Sequence, residues 1–565
     1  MEKFNLLKEP WIAVLIDEQG TTSEVSLIDA FKNAHKYKGL AGETQFQNFA
    51  LLRLLLAVMH TVFSRFNDKG EVYSYFELDE MYKQCSVIED EYDIEDYCED
   101  LLTTWKGLWD SEKLPEIIEL YLRKWEDSFD FYSDDKPFYQ IPNDFLVEKG
   151  INEDGTSYLK PQFLNRLISE SDNTVKLFSP NSHQFKNDLS DSELVRWVVT
   201  FQGYTGTSEK KKHPDFKGSS SKGWLLGLGG VYYEGKNLKE TLLLNLVMDE
   251  TNAKEQTPVW EKTNEKIVED IFNGYPNNLA DLYTFYSRLM LVDKKRKKMS
   301  EKKEKDKYIR TVQMPGIKQN DYFLEQMTMW KFEKNGENKD SFIPLRHQVE
   351  HYFWESFGNA SVARSSSNMK RVGLFDWHSK LIEKGIVDND ILNIVAVGVN
   401  YNKDASTMMN EEINDYLSID DYVLIDIQES GWIYRIEAEI TLIKYLVDKI
   451  LGSFLNDLAK LNNSRNNSIA STIKREAYFQ INKPFREWLT SLKVDDQKDE
   501  KVSNWRSDLK KILLEQGKKM VSNPSNREYK GIVTTDSKNE VVNIVTLYNK
   551  YVILVEKYCK EGVKL

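Results

Sequence analysis

Cysteine and histidine are scarce in this sequence. Among 565 residues there are 3 cysteines and 7 histidines, and the cysteines, Cys85, Cys98 and Cys559, form no CxxC pair. An odd number of widely separated cysteines argues against a disulfide framework and against a cysteine zinc site. We therefore expect the protein to work in a reducing compartment and predict a cytoplasmic location.

Long apolar runs and the motifs of common enzyme classes are also missing. No stretch of about 18 apolar residues occurs, and the first residues, MEKFNLLKEPW, lack the basic and apolar parts of a signal peptide, so we expect no membrane association. The sequence has neither GxxxxGK(S/T) nor GxSxG, and GLGG at 227–230 lacks the spacing of a dinucleotide fingerprint. This favours a binding protein over an enzyme, with no catalytic residue, no cofactor and no metal.

The composition describes a globular chain with an acidic total. Hydrophobic residues make up 41% and aromatic residues 12%, and the formal net charge is −14. Such a charge argues against a protein that coats nucleic acid by itself, but it is compatible with local basic loops. The length indicates roughly two to four domains.

The order of sequence patterns predicts an α+β fold. Residues 1–425 mix strand-like and helix-like segments, and we predict a large mixed α/β domain with irregular loops for them. Residues 426–565 contain four amphipathic segments with polar connections, which predict an all-α four-helix bundle. The apolar run 45–66 predicts a helix buried on most sides, so Arg53 within it needs a carboxylate partner. Residues 143–172 are polar and predict a loop.

The stretch Asn173–Gly235 places two polar loops on either side of one amphipathic segment. Its apolar residues recur at helical spacing and predict a helix that anchors both loops: Leu194, Val195, Val198 and Val199. The second loop carries lysines and one histidine among small residues: Lys210, Lys211, Lys212, His213, Lys217, Gly218, Ser219, Ser220, Ser221 and Lys222. Small residues allow close approach to a partner, and lysines attract phosphates. The alternative is a pair of solvated surface loops.

Two further basic features follow. A strongly basic run spans 293–310 and includes Lys294, Lys295, Arg296, Lys297 and Lys298. It is typical of an exposed hairpin tip or flexible arm, and it is also suited to nonspecific contact with DNA phosphates. After it, the sequence predicts a strand, a turn at Pro315–Gly316 with Lys318 just beyond, and a second strand.

One short sequence pattern is typical of zinc sites in hydrolases. His347, Glu350 and His351 match H-x-x-E-H, which on a helix could hold zinc for a hydrolase. Pro344 lies close before the pattern and indicates that the segment is extended. No third ligand follows on a clear second helix, so we expect surface or structural histidines and keep a zinc hydrolase as an alternative.

Several segments resemble one family. FNLLKEPWIAV, SLIDAF, ALLRLLLAVMH, LFSPNS and GKNLKETLLLNLV are similar to the CasA family, the large subunit of the type I-E CRISPR Cascade surveillance complex. The resemblance implies a non-catalytic protein in an RNA-guided complex for antiviral defence. It would recognise the protospacer-adjacent motif (PAM) in double-stranded DNA, help open the duplex and recruit the helicase–nuclease. Its partners would be the guide RNA (crRNA) ribonucleoprotein with the backbone and small Cascade subunits. A helical protein–protein scaffold is a further alternative.

The resemblance also assigns residues by role. DNA motif recognition falls on a small-residue loop and a hairpin lysine: Phe216, Lys217, Gly218, Ser219 and Lys318. The duplex wedge falls on Asn402, Lys403, Asp404 and Ala405. The loop that meets the guide-RNA end and its neighbouring subunit contains Phe178, Ser179 and Asn181. This sequence departs from relatives in having Lys403 and Asp404 where a relative can carry glutamine, and serines where relatives are richer in glycine.

Overall fold

The fold is taken from a computed structural model. It describes residues 3–164, 186–207, 210–218, 221–293, 308–336, 338–360, 368–387, 391–401, 409–427, 430–463, 467–533 and 541–563.

Helices dominate and the sheets are small, which confirms an α+β fold. The α-helices are α1 (Leu27–Lys32), α2 (Gln45–Phe63), α3 (Glu91–Asp110), α4 (Ile117–Lys124), α5 (Asn143–Glu148), α6 (Pro161–Leu164), α7 (Asp191–Tyr204), α8 (Leu238–Leu244), α9 (Asn264–Asn273), α10 (Leu279–Tyr283), α11 (Phe357–Ala360), α12 (Gly373–Glu383), α13 (Asp421–Ile425), α14 (Trp432–Lys444), α15 (Gly452–Leu461), α16 (Asn467–Thr490), α17 (Lys498–Val521), α18 (Asn526–Lys530) and α19 (Ile544–Glu561).

Except for Ile391–Tyr401 and Met409–Asp420 the strands are short, and they form separate sheets. They are β1 (Ile12–Leu15), β2 (Thr22–Val25), β3 (Gly39–Leu40), β4 (Ser157–Leu159), β5 (Gly230–Glu234), β6 (Arg288–Val292), β7 (Ile309–Gln313), β8 (Trp330–Glu333), β9 (Ser341–Pro344), β10 (Met369–Lys370), β11 (Ile391–Tyr401), β12 (Met409–Asp420), β13 (Ile532–Val533) and β14 (Val541–Val542). The sheet that matters for the candidate site has the order β4-β7-β6, with β7 antiparallel to both neighbours.

The chain forms two compact units. The first comprises Met1–Val349, Ser367–Ile386 and Ile394–Asp415, and the second comprises Glu350–Ser366, Val387–Asn393 and Tyr416–Leu565. The units interleave along the chain, so no single position separates them. The boundary at residue 425 stays a prediction.

Helix α2 is the core of the first unit. Every residue from Phe46 to Phe63 is buried. By length and composition alone α2 could cross a membrane, but its most apolar window is completely buried inside the protein. It therefore packs as a core helix, as the apolar coverage of the sequence predicts.

The Arg53 side chain on α2 has the carboxylate partner that its position requires. Its guanidinium donates to both oxygens of Glu325, at 2.8 and 2.9 Å, and lies 4.1 Å from the centroid of the Tyr283 ring. The same carboxylate accepts from the indole N–H of Trp224 at 2.7 Å and from the backbone N–H of Met327 at 3.0 Å. Burial opposes the charge on Arg53, but Glu325 outweighs this effect and raises the guanidinium pKa.

Helix α7 lies where the apolar spacing predicts a buried helix, and its predicted anchoring of both loops stays a prediction because most of the first loop lies outside the described residues. Ser190 and Glu193 form a capping box at its N-terminus. The four apolar residues predicted to anchor it are buried: Leu194, Val195, Val198 and Val199. Arg196 on the same helix is nearly buried and pairs with Glu24 and Glu43, each at 2.6 Å.

The helical segments predicted near the C-terminus are present in the second unit. A continuous run from α14 through a π-helical stretch (Tyr445–Leu451) to α15 is followed by α16, α17 and α19. Trp488 on α16 stacks on Trp505 of α17 with ring centroids 5.7 Å apart. The arrangement of these helices as a four-helix bundle stays a prediction.

The loop predicted for residues 143–172 is wrong over its described part. Residues 143–164 contain α5, β4 and α6. Strand β4 has only three residues and pairs with β7, from Ser157 opposite Thr311 to Leu159 opposite Ile309. Three residues are too few for alternation of apolar and polar positions to be recognised in the sequence. The strand forms because it pairs with β7, which is distant in the sequence.

We expect Glu325→Ala to destabilise the protein by about 3–5 kcal/mol, because it leaves the buried Arg53 guanidinium without its counter-charge. The measurement is urea-induced unfolding followed by tryptophan fluorescence. Arg123→Ala is the control, since Arg123 is 48% exposed in its pair with Glu119 and should contribute less than about 1 kcal/mol. Equal unfolding midpoints for the two variants would contradict the assignment.

Candidate nucleic-acid interface

Several predicted site residues lie outside the described residues. They are Phe178, Ser179 and Asn181 of the guide-end loop, Ser219, the basic residues Lys294, Lys295, Arg296, Lys297 and Lys298, and the wedge residues Asn402, Lys403, Asp404 and Ala405. The described candidates are Phe216, Lys217, Gly218 and Lys318.

Residues 210–218, called the lysine loop below, are attached to the β4-β7-β6 sheet. Lys212 forms a parallel bridge with Gln313 at the end of β7. The backbone N–H of His213 donates to the Gln313 carbonyl at 3.0 Å, and the Gln313 N–H donates to the Lys211 carbonyl at 2.9 Å. The start of the loop therefore has a fixed register on a buried strand.

The histidine of the loop is an anchor rather than an exposed basic group. His213 is buried and its ring lies edge-on to Phe272 of α9, with centroids 5.1 Å apart. Burial lowers the pKa of His213, and the nearby Asp215 carboxylate only partly opposes this. His213 is therefore suited to fixing the loop on α9.

The tip of the loop folds back on itself. Lys212 donates its ammonium proton to the Gly218 carbonyl at 2.7 Å and lies 5.7 Å from the centroid of the Phe216 ring. Lys217 donates to the Pro214 carbonyl at 2.7 Å. A Cβ atom at Gly218 would overlap the Phe216 ring. Glycine at 218 thus provides room for the half-buried aromatic ring, while Lys217 and Gly218 face solvent.

Lys318 lies on a rigid support at the C-terminal end of α9. That helix ends at Gly274 with φ +71°, a left-handed conformation that favours glycine. The Lys318 N–H donates to the Gly274 carbonyl at 3.1 Å, and its ammonium lies 4.7 Å from the centroid of the Tyr275 ring. Lys318 is exposed and Tyr275 is 48% exposed, so together they present a cation on an aromatic platform.

The structure brings the two predicted recognition segments together. Ser221 donates its hydroxyl proton to the Met314 carbonyl. A Cβ atom at Gly316 would lie 3.2 Å from the Lys222 carbonyl, so the two backbones are in close contact. Residues 314–318, called the hairpin segment below, therefore run beside Ser221 and Lys222, which follow the lysine loop.

The charges at this junction are of one sign. Partial burial of the ammonium group, and then the nearby charge of Arg346, lower the pKa of Lys222. Burial also lowers the pKa of Arg346. A nearby anion would favour the charged forms of both side chains.

The H-x-x-E-H segment does not have the geometry of a zinc helix. Residues 347–351 contain no helical turn, and Glu350 has φ +73°. The imidazole of His347 contacts the Gly230 carbonyl at 2.8 Å, that of His351 contacts Glu355 at 3.0 Å, and Glu350 pairs with Arg475 at 2.9 Å. Among the described residues, no group of three or more His, Cys, Asp or Glu side chains is placed to hold a metal ion.

Sequence reasoning missed Tyr275. A single exposed tyrosine between Gly274 and Pro276 gives no periodic signal, and its relation to Lys318 exists only because α9 ends beside the hairpin segment. The Gly-Tyr-Pro stretch after a helical pattern could have indicated a fixed turn that exposes an aromatic ring.

The fold and the candidate site define a class of protein: an α+β chain of two units whose described candidate residues include the exposed lysines Lys217 and Lys318. The family model for CRISPR-associated protein Cse1 matches residues 5–516, and the chain belongs to this family.

Similarity to individual proteins is low in sequence and extensive in fold. CasA/Cse1 of Thermus thermophilus is 26% identical over 264 residues, which is 46% of this chain and 42% of that relative, so the alignment spans less than half of either. Cse1 of Thermobifida fusca superposes with a TM-score of 0.75 at 22% identity, covering 99% of each chain. A chain of a solved CRISPR RNA-guided surveillance complex gives 0.68 at 12% identity, covering 98% of this chain and 100% of that one.

The pKa values of the two histidines in the H-x-x-E-H segment should be shifted in opposite directions. The hydrogen bond to Glu355 raises the pKa of His351 above 6.5, whereas burial lowers that of His347 below 6.5. The stabilising effect of the His351 contact is present below pH 6.5 and is lost as the pH rises through the raised pKa. Histidine ring NMR signals followed against pH measure both groups.

Glu355→Gln is the matched control for this titration, and it should return the pKa of His351 towards its ordinary value while leaving His347 unchanged. If added zinc instead shifted the pH titration curves of His347 and His351 together, both would be ligands of one metal ion. The structural assignment would then be wrong.

Proposed function

We propose that this chain is the non-catalytic large subunit of an RNA-guided surveillance complex for antiviral defence. In this role it recognises the protospacer-adjacent motif in double-stranded DNA, helps to open the duplex and recruits a helicase–nuclease. Membership of the Cse1 family supports the role. The fold it shares with a chain of a CRISPR RNA-guided surveillance complex is consistent with it.

The observation that carries DNA recognition is the contact of Ser221 and Lys222, which follow the lysine loop, with the hairpin segment. Lys222 and Lys318 are exposed on these adjoining segments, and Lys217 is exposed in the lysine loop that precedes Lys222. The formal net charge of the chain is −14, so a local cluster of lysines is more positive than the rest of its surface on average. Clustered lysines beside a narrow turn are suited to phosphates and groove edges.

The shape of the surface favours the minor groove. A turn with Gly218 at its tip and a single lysine on an aromatic support is too small to fill the major groove, which admits a whole helix. Minor-groove contacts mainly distinguish A·T from G·C pairs, so they give loose recognition of a short motif. Recognition of the longer target then belongs to pairing with the guide RNA.

The remaining roles rest on the family resemblance. Asn402–Ala405 is proposed as the wedge that unstacks the duplex, a step that costs a few kcal/mol. Phe178, Ser179 and Asn181 are proposed to meet the guide-RNA end, and Lys294–Lys298 to hold flanking phosphates. We further propose that the long helices of the second unit form a four-helix bundle that docks on the crRNA ribonucleoprotein and its backbone and small subunits in the cytoplasm.

We expect Lys318→Ala to weaken binding of the reconstituted complex to motif-bearing duplex by about tenfold, within the range of one specific groove contact. Binding is measured on duplexes with and without the motif over a series of salt concentrations. A base-edge contact lowers the preference for the motif, whereas a phosphate contact lowers affinity for both duplexes and reduces the salt slope by about one.

The control for Lys318 is Lys483→Ala, because Lys483 is 84% exposed and lies in an i,i+4 pair with Glu487 of the second unit. Indistinguishable binding by the two variants would favour the scaffold alternative, in which this surface does not meet DNA.

A double variant separates two possible roles of Gly218: close approach to DNA, and space for the Phe216 ring within the loop. Gly218→Ala displaces the Phe216 ring as well as adding a methyl group at the surface. If the glycine allows close approach to DNA, Gly218→Ala should lower motif binding by the same factor in the wild type and in Phe216→Ala. An effect that disappears in the Phe216→Ala background would assign Gly218 to packing within the loop only.

A further inference from the structure

The lysine loop and the hairpin segment are joined through one buried cation. The Arg288 side chain at the start of β6 is fully buried, with 0% of its surface exposed. One of its terminal nitrogens donates to the Gly206 carbonyl at 2.7 Å and to the Ser221 carbonyl at 3.0 Å. The other donates to the Ser221 hydroxyl oxygen at 3.0 Å and to the Ser287 carbonyl at 2.8 Å.

These contacts connect points far apart in the sequence. Gly206 precedes the lysine loop and Ser221 follows it, so one guanidinium holds the two residues from which the loop emerges. The Ser221 hydroxyl passes the connection on by donating to the Met314 carbonyl at the start of the hairpin segment. Arg288, Ser221 and Met314 therefore form a continuous hydrogen-bonded path between the loop and the segment that carries Lys318.

The base of this path is rigid. The Gln202 side chain on α7 accepts from the backbone N–H groups of Ser287 and Arg288, each at 3.0 Å, and donates to the Arg288 carbonyl at 3.1 Å. The backbone of Arg288 is thus fixed to a buried helix, and its planar fork of donors selects the directions of the carbonyls it meets. A lysine here could not contact both ends of the loop in the same way.

We propose that Arg288 is a positioning residue that clamps both ends of the lysine loop and couples the loop to the hairpin segment, so that Lys217, Gly218 and Lys318 meet DNA as one unit. This proposal rests on the proposed DNA recognition for its functional part. Its structural part, the clamp, can be tested without DNA.

The decisive variant is Ser221→Ala. It removes the hydroxyl that links Arg288 to Met314 but keeps the backbone carbonyl and the fold around it. Hydrogen–deuterium exchange of the isolated protein should become at least about fivefold faster in peptides covering residues 210–218, the factor expected when one ordinary hydrogen bond is lost from a local opening equilibrium.

The matched control is Ser341→Ala. Ser341 is also buried, and its hydroxyl donates to a backbone carbonyl, that of Asn338, at 2.7 Å. This change removes the same kind of bond elsewhere in the first unit and should leave exchange in residues 210–218 unchanged. Arg288→Lys should change exchange in the same direction as Ser221→Ala and more strongly. If it fails to fold, Arg288→Gln, which keeps one amide donor and removes the charge, replaces it as the test of the clamp.

In the reconstituted complex, Ser221→Ala should reduce the preference for motif-bearing over motif-lacking duplex by at least about fivefold, while affinity for the motif-lacking duplex stays the same. A merely structural role would change both affinities together or neither. The double variant with Lys318→Ala should lose less than the product of the two single effects, since coupled residues are not additive.

The outcomes separate the two proposals. Unchanged exchange in Ser221→Ala overturns the link through the Ser221 hydroxyl, and unchanged exchange in a folded Arg288→Lys overturns the clamp. Faster exchange with an unchanged motif preference overturns the positioning role. If the wild-type complex itself shows no motif preference, the proposed DNA recognition fails, whereas the exchange experiment still decides whether Arg288 clamps the loop.

Discussion

The buried ion pair between Arg53 and Glu325 is the constraint on which the architecture of the first unit depends. The Arg53 guanidinium lies in the middle of a buried helix, and loss of its bidentate counter-charge would leave a buried charge that costs several kcal/mol. Glu325 satisfies Arg53 and also accepts from Trp224, which follows the lysine loop, while Glu325 itself follows the hairpin segment. The need to neutralise one core cation therefore fixes where the chain continues after both recognition segments.

Two buried arginines, Arg288 and Arg53, fix the chain around the lysine loop and the hairpin segment. Arg288 holds the chain where the lysine loop begins and ends, and Arg53 fixes the chain beyond the loop and beyond the hairpin segment through Glu325. Neither side chain reaches the surface. The exposed loop can thus be rich in lysine and small residues, which have little propensity for regular structure, because its position is determined by desolvated hydrogen bonds beneath it rather than by its own sequence.

Local patterns predicted the elements whose stability is local. The apolar spacing of α7 and the broad apolar coverage of α2 are both visible in the sequence. The need of Arg53 for a carboxylate followed from burial, but its partner did not, because Glu325 is 272 positions away and is selected only by tertiary packing. Short strands such as β4 and the support of Lys318 by Tyr275 depend on contacts of the same distant kind.

The histidine pattern illustrates the limit of motif reading. H-x-x-E-H places two ligands on one face only when the segment is helical, and Pro344 already indicated that this one is extended. In the structure the positive φ of Glu350 turns the chain between the two histidines, and His351 instead contacts Glu355 four residues later. A spacing has chemical meaning only together with the backbone conformation that converts it into a distance.

The lysines at the candidate interface differ in how much they must change in order to bind. Lys212 and Lys217 already donate to carbonyls of their own loop, so a phosphate would have to replace an existing hydrogen bond for each. Lys318 instead rests on the Tyr275 ring with its backbone held by Gly274, and it has already lost much of the rotamer freedom that binding would restrict. A cation held on an aromatic face can contact a groove edge at a lower entropic cost than a mobile one. For this reason we propose the hairpin lysine, although single, as the more specific of the DNA contacts, and we propose that the loop lysines mainly shape their own turn.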